Sequence, residues 1–273
     1  MADTAHTLQV DENPFLVTLE RYEGREKQVV VPQGVRKIGR QAFANNRYVH
    51  EVTLPEGVET IDEEAFSSCV NITRINLPST VRQIGAGAFK GCWRLTDIEL
   101  SQGIVELGEL TFARCRSLVR IELPEGLVSI GDACFRHCML LEDVRFPQSL
   151  ERIGANAFYD CTALVFDTLP DNLDTIENEA FRECKALTSI ELPESVRWIG
   201  QRCFKDCTGL LSATLPQGVE FIEEGLFEGC SSLVAVAVPQ SLRHIEARAF
   251  AGAGLSVDDI AIPDECEVAA DAF

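Results

Sequence analysis

Leu118-Val119-Arg120-Ile121-Glu122-Leu123-Pro124-Glu125-Gly126-Leu127-Val128-Ser129-Ile130-Gly131, followed shortly by Phe135, contains one complete structural unit. Ile121 and Leu123 alternate with Arg120 and Glu122, the period of a short strand with one buried face. Pro124 stops that strand, and proline at the second and glycine at the fourth place of a turn (Gly126) suit a type I corner. Leu127 and Ile130 return as a second short strand. A small residue before Phe135 then opens a segment that reads as helical or 3-10, with the ring as its core plug.

Outward from this stretch the unit repeats. Phe43, Phe66, Phe89, Phe112, Phe135, Phe158, Phe181, Phe204, Phe227, Phe250 and Phe273 follow one another at a spacing that never slips from 23. All but the last read as the structural plugs of successive coils. Ala or a small substitute such as Cys134 or Cys203 usually precedes the ring; Thr111 before Phe112 and Leu226 before Phe227 are looser fits. Ser101 stands where nine other coils place proline. A fixed period in this range marks a leucine-rich solenoid, in which each coil buries its apolar side only by stacking on its neighbours. The expected fold is therefore a right-handed, β-rich leucine-rich repeat solenoid of about eleven coils, with a parallel concave sheet and short helical or 3-10 closures.

Four parts follow from the register. Residues 1–12 read as a flexible tail. Residues 13–31 read as a β-hairpin cap, Phe15 to Leu19 against Val29 to Val31 across a turn at Glu23-Gly24-Arg25, covering the exposed edge of the first coil. Residues 32–253 are the solenoid. In 254–273 the register falters, with Leu255 one place early and Pro263 one place late. That end calls for an improvised cap, an end-to-end homodimer or a longer chain. Asp167 breaks the core rule at a place otherwise held by Val52, Ile75, Ile98, Ile121, Val144 and Ile190. Either the chain shifts locally, turning Phe166 inward and Asp167 out, or Phe166 is displayed on the sheet.

Leu77-Pro78-Ser79-Thr80-Val81-Arg82-Gln83-Ile84-Gly85-Ala86-Gly87-Ala88-Phe89-Lys90-Gly91-Cys92 resembles, place by place, the repeat of the BspA-like or Treponema-type leucine-rich family. The resemblance extends over residues 29 to 250. It implies the fold above and a similarity to bacterial surface proteins proposed to bind host or microbial partners.

Acidic residues outnumber basic ones 43 to 24, giving a formal charge of -19, which opposes binding to nucleic acid. No apolar run is long enough for membrane insertion. Met1 to His6 lack a signal-peptide pattern, so the chain as it stands reads as cytoplasmic, with the cell surface the alternative if a leader is removed.

Eight of eleven cysteines, Cys69, Cys92, Cys115, Cys138, Cys161, Cys184, Cys207 and Cys230, lie three residues after the anchor Phe. Identical places on stacked coils stand in a line, whereas zinc needs converging ligands, so these read as buried thiols and no metal is expected. Parallel Cβ vectors about 4.8 Å apart also suit a disulfide poorly, and many free thiols fit a reducing compartment. His6, His50, His137 and His244 carry no catalytic signature, and G-x-S-x-G, H-E-x-x-H and P-loop motifs are absent. The sequence reads as a non-enzyme without a cofactor.

Outward strand places are more informative. Glu51, Arg74, Asp97, Arg120 and Asp143 alternate in sign on adjacent strands and read as a salt-bridge ladder. The same column continues as Phe166, Ser189, Ser212 and Ala235. A second column, five places after the proline, runs from Lys37 to Thr175 and then becomes Trp198, Phe221 and His244. Three outward rings in succession suit contact with a partner. Trp198, Phe221, His244, Phe166, Ser189 and Ser212 are thus the candidate binding residues of a protein-interaction scaffold. Bacterial adhesion or glycan stacking is the alternative.

Overall fold

The computed structural model describes residues 8–11, 17–166 and 168–273. Asp167, the tail residues 1–7 and Phe15 and Leu16 of the expected cap lie outside the described residues. Most coils supply a three-residue strand, a corner, a two-residue strand and a ridge of turns, so the solenoid carries two separate rows of parallel strands.

The three-residue row begins with strands at Gln28–Val30, Glu51–Thr53 and Arg74–Asn76. It continues with Arg120–Glu122 beside Asp143–Arg145, and ends with Ser189–Glu191, Ser212–Thr214 and Ala235–Ala237. The central residue of each strand is buried, as the period-two pattern requires. Between these groups the row narrows to single bridges, Arg74 to Asp97 and Asp143 to Val165. In the first of these coils Ser101 replaces the proline, and its hydroxyl donates to the Ser79 carbonyl at 2.9 Å.

The two-residue row runs from Lys37–Ile38 to Glu267–Val268 in constant register. It is interrupted twice, between Gln83–Ile84 and Glu106–Leu107 and between Trp198–Ile199 and Phe221–Ile222.

The segment around each Phe is a ridge of turns. A helix would bond its backbone within the coil; here Glu64, Phe66 and Ser68 donate instead to the Ala86, Ala88 and Lys90 carbonyls of the next coil at 2.9, 2.8 and 2.7 Å. Glu64 and Ser68 reach this geometry through left-handed backbone, and the residues two before and two after Phe do so along the chain, among them Leu110, Arg114, Ala133 and His137. The helical or 3-10 closure expected from sequence is therefore corrected. Among the described residues the one 3-10 turn is Val257–Asp259, in the last coil.

Within the ridge the Phe rings form a continuous stack from Phe43 to Phe273, with centroids 4.8 to 5.8 Å apart. Phe43 through Phe250 are fully buried. Phe112 and Phe227 hold their places in the stack although larger residues precede them. Phe112 lies 5.3 and 5.5 Å from Phe89 and Phe135, and Phe227 lies 5.8 and 5.6 Å from Phe204 and Phe250. Thr111 and Leu226 are buried as well, and the Thr111 hydroxyl donates to the Gly108 carbonyl at 2.8 Å, so its polar atom is satisfied inside the core. Each thiol of the cysteine column donates to the Phe carbonyl one coil back, from Cys69 to Phe43 (2.9 Å) to Cys230 to Phe204 (3.1 Å). The second lone pair of that carbonyl takes the Cys backbone N–H of its own coil, as in Cys69 to Phe66 at 3.1 Å. The cysteines thus satisfy a buried acceptor as well as filling space.

The N-terminal cap differs from the expected hairpin. β1 (Leu8–Asp11), inside the stretch read as a tail, pairs antiparallel with β2 (Thr18–Tyr22), and β2 continues in parallel onto Lys37–Ile38. β3 (Gln28–Val30), read as the second hairpin strand, instead opens the three-residue row. Tyr22 tops the aromatic stack, 5.0 Å from Phe43. At the other end the register recovers: Glu267 pairs with His244, and Phe273 stacks on Phe250 at 5.0 Å.

Candidate interaction surface

Trp198, Phe221 and His244 each precede a buried Ile of the two-residue row, and strand alternation turns their side chains outward. Trp198 is 41% and Phe221 46% exposed. Phe221 and His244 stack at 5.0 Å with rings 6° from parallel, and His244 Nδ1 lies 3.4 Å from Glu267. Trp198 stands apart, because the row is interrupted between it and Phe221. Among the described residues no main-chain hydrogen bond joins Trp198–Ile199 to Phe221–Ile222, whereas Gly200 donates to Ile176 and Glu246 to Ile222 in the adjoining coils. The opening holds a cleft of about 150 Å³. Its walls include both rings, Arg197, Gly218, Glu220 and Glu223. Burial and the charge of Glu246 push the Glu223 carboxyl above its ordinary range, against a hydrogen bond with Gln201 that lowers it. Sequence reading missed Glu220 and Glu223, which become wall residues only through the opening of the row.

The remaining candidates lie elsewhere. Ser189 and Ser212 stand in register on the three-residue row, beside Ala235. The candidate residues therefore belong to two sheets and do not form one site. Phe166 is half-buried against the core, its ring 5.7 Å from Phe146 and 5.5 Å from Phe181. Its display on the sheet is thus corrected to the inward turn. Exposed Leu211 and Val234 flank the serine column.

The alternating column is aligned, with Glu51 opposite Arg74, Arg74 opposite Asp97 and Arg120 opposite Asp143. Among the described residues, none of these pairs closes to a 4.0 Å ion pair, so the column is a charge pattern rather than a salt-bridge ladder. Contacting ion pairs run from the two-residue row and along the ridge instead: Lys37 to Asp62 (2.6 Å), Arg152 to Asp132 (3.0 Å) and Glu177 (2.7 Å), and Lys205 to Glu228 (2.8 Å), with Arg248 also on Glu228.

Other polar clusters are mostly paired among themselves. His137 pairs with Asp160 at 2.9 Å and packs edge-on against Tyr159, whose hydroxyl donates to Glu183. Arg136 and Arg182 lie over the same ring at 4.9 and 5.4 Å; the ring face meets their guanidiniums, whose buried Nε atoms have no hydrogen-bond partner. A cleft of about 540 Å³ beside Tyr22 and Tyr48 is lined by mixed charges. Two of its arginines are paired, Arg21 with Glu23 and Arg40 with Glu63. All eleven cysteines are free thiols, and burial pushes the ten inner ones well up. Among the described residues no group of three or more His, Cys, Asp or Glu stands where it could hold a metal ion. No described helix is long and apolar enough to cross a membrane.

The family described as the BspA type leucine-rich repeat region matches residues 36–165 and 166–273, in six copies. The chain belongs to the BspA-type leucine-rich repeat family. No match was found among curated proteins. Several solved bacterial proteins are similar to this BspA-type solenoid. A leucine-rich cell surface protein of Faecalibacterium prausnitzii is 27% identical over 97% of this chain and 89% of its own, with a TM-score of 0.57. A leucine-rich repeat protein of Bacteroides ovatus is 25% identical over 92% and 86%, with a TM-score of 0.50. One from Eubacterium ventriosum, 20% identical over 99% and 93% with a TM-score of 0.58, shares the fold.

Proposed function

We propose that this chain is a non-catalytic protein-recognition scaffold that engages its partner through the C-terminal half of the two-residue row. The observation that carries this reading is the run of three outward rings at Trp198, Phe221 and His244, beside an opening in the sheet. Exposed aromatic side chains present large rigid contact area, and such residues are enriched where proteins meet. The uncharged Ser189, Ser212 and Ala235 column on the other row is a secondary contact face.

The test is capture of binding proteins by immobilised protein, compared between the native chain, Trp198→Ser/Phe221→Ser, and Arg74→Ser/Arg120→Ser on the charged column. Loss confined to the aromatic variant supports the reading; equal capture by all three contradicts it. A second reading, a surface adhesin whose rings stack on sugars, is favoured by the description of the Faecalibacterium relative as a cell surface protein. A glycan array separates the two, since sugar binding lost with Trp198→Ser would assign the rings to carbohydrate.

A further inference from the structure

The place four residues before the anchor Phe is Gly or Ala in most coils: Gly39, Gly85, Gly108, Gly131, Gly154, Gly200 and Ala269. It is acidic at Asp62, Glu177, Glu223 and Glu246. Two of these four acids have a cation, and it comes from the outward strand place 25 residues earlier. Lys37 reaches Asp62 at 2.6 Å, and Arg152 reaches Glu177 at 2.7 Å. For Glu223 and Glu246 the residues at that supplying place are Trp198 and Phe221. Among the described residues neither carboxylate has a cation in ion-pair range. Each is the other's charged neighbour, which with burial holds the Glu223 carboxyl high.

At this same position the row opens, and the cleft between the rings has Glu220 and Glu223 in its wall. Arg197 also lines it, but its guanidinium donates to the Glu194 carbonyl at 2.7 Å and is packed over Gly218. The wall therefore combines aromatic faces with Glu220 and with Glu223, which lacks the counter-charge that Asp62 and Glu177 have at the same place, and Glu246 adds its charge behind Glu223. Both features attract a cation on an apolar stem: the ring faces through their quadrupole and the acids through charge. A chain of charge -19 further draws a basic partner.

Resting on the recognition surface proposed above, we infer that the Trp198–Phe221 cleft receives a lysine or arginine side chain of a basic partner segment, which supplies Glu223 and Glu246 with their missing counter-charge. The aliphatic stem lies against the rings and the charged head reaches the carboxylates, as long basic side chains commonly bury the stem and keep the head polar.

Because Trp93 and Trp198 are the two tryptophans of the chain, Trp93→Phe leaves Trp198 as the sole reporter. In that background, blocked Gly-Ser-Lys-Ser-Gly is titrated against Trp198 emission and by calorimetry, beside versions carrying arginine or norleucine and beside tetramethylammonium. Lysine and arginine peptides should bind in the millimolar range, and norleucine about tenfold more weakly. Glu223→Gln/Glu246→Gln should weaken the lysine peptide about tenfold and leave norleucine unchanged. Equal affinity for norleucine and lysine, an unchanged lysine affinity in the Gln variant, or no binding at about 20 mM peptide would overturn the inference. Tetramethylammonium binding as tightly as the peptide would overturn the peptide assignment in favour of a small cation. Those failures leave the recognition surface standing if Trp198→Ser/Phe221→Ser still abolishes partner capture, so the two ideas fall separately.

Discussion

Raising the pH toward 10 under reducing conditions should unfold this protein through its cysteines, at about the point where unfolded thiols have largely ionised. Ten thiols are buried, and burial pushes each one up: Cys69, Cys138 and Cys230 to about 12, the others further. In the unfolded chain a thiol titrates near about 8.5. A group whose native pKa is raised contributes stability that is complete below its unfolded pKa. That contribution is lost as pH rises toward the native value, because the unfolded state then binds fewer protons than the folded one. At pH about 9.5 each thiol gives the unfolded state about 1.4 kcal/mol, or about 14 kcal/mol for all ten, which matches the whole stability of an ordinary domain. Urea midpoints followed by circular dichroism, from pH about 7 to about 10, should be flat at first and then fall steeply from about 8.5. Cys92→Ala/Cys115→Ala should reduce the alkaline slope by about a fifth, since two of ten titrating groups are gone. A midpoint unchanged up to pH about 10 would refute the reasoning, because buried thiols cannot leave stability insensitive to thiolate formation in the unfolded chain.

Phe158 is fully buried with rings of Phe135 and Phe181 at 5.2 and 5.3 Å, so Phe158→Ala should cost about 3–5 kcal/mol in urea unfolding. Phe273, 37% exposed and stacked on Phe250, should cost less than half of that, about 1–2 kcal/mol; equal losses would contradict the ring stack as the source of stability. Burial pushes the Glu228 carboxyl up, but hydrogen bonds from Lys205 and Arg248 outweigh it and hold the group low, so Glu228→Gln should cost about 2 kcal/mol at neutral pH. In the native chain that contribution is present above the unfolded value of about 4.3 and lost as pH falls through the lower native one, so the native and Gln midpoints should converge in acid. Trp198→Ser/Phe221→Ser should cost about 1–2 kcal/mol in urea unfolding, well below Phe158→Ala, because Trp198 and Phe221 are 41% and 46% exposed; a loss as large as that of Phe158→Ala would make them structural rather than recognition residues.

The architecture was legible because one large residue, Phe, recurs without a slip and can be satisfied only by stacking. Even Phe112 and Phe227, preceded by the ill-fitting Thr111 and Leu226, keep to the stack. The ridge was misread because a small residue followed by Phe looks the same before a helix as before a turn. What distinguishes them is the left-handed backbone at places such as Glu64 and Ser68, and side-chain identity there varies from Gly to Leu110. The cap was misplaced for a related reason. Phe15 to Leu19 and Val29 to Val31 both read as apolar strands, and the choice between pairing them and splitting them over two rows depends on neighbouring coils rather than on local pattern. Ion pairs were expected between the facing residues of the charged column, but those stay out of range, while on the other row Lys37 and Arg152 reach diagonally to Asp62 and Glu177, 25 residues on. That offset is also why Glu223 and Glu246 passed unnoticed: their chemistry is visible only beside the aromatic residues that occupy the cation's place. Trp198, Phe221 and His244 were readable directly, since alternation alone turns them outward. For Phe166 the sequence leaves two orientations open, and the inward one holds because Phe146 and Phe181 pack against the ring.

Hydrogen–deuterium exchange of the chain with its captured partner tests the central claim most directly. Protection should rise on the two-residue row around Arg197 to Gly200, Glu220 to Glu223 and Arg243 to Glu246, and should disappear with Trp198→Ser/Phe221→Ser. Protection confined to the charged column from Glu51 to Asp143, with the Trp198 and Phe221 strands exchanging as in the free protein, would contradict it.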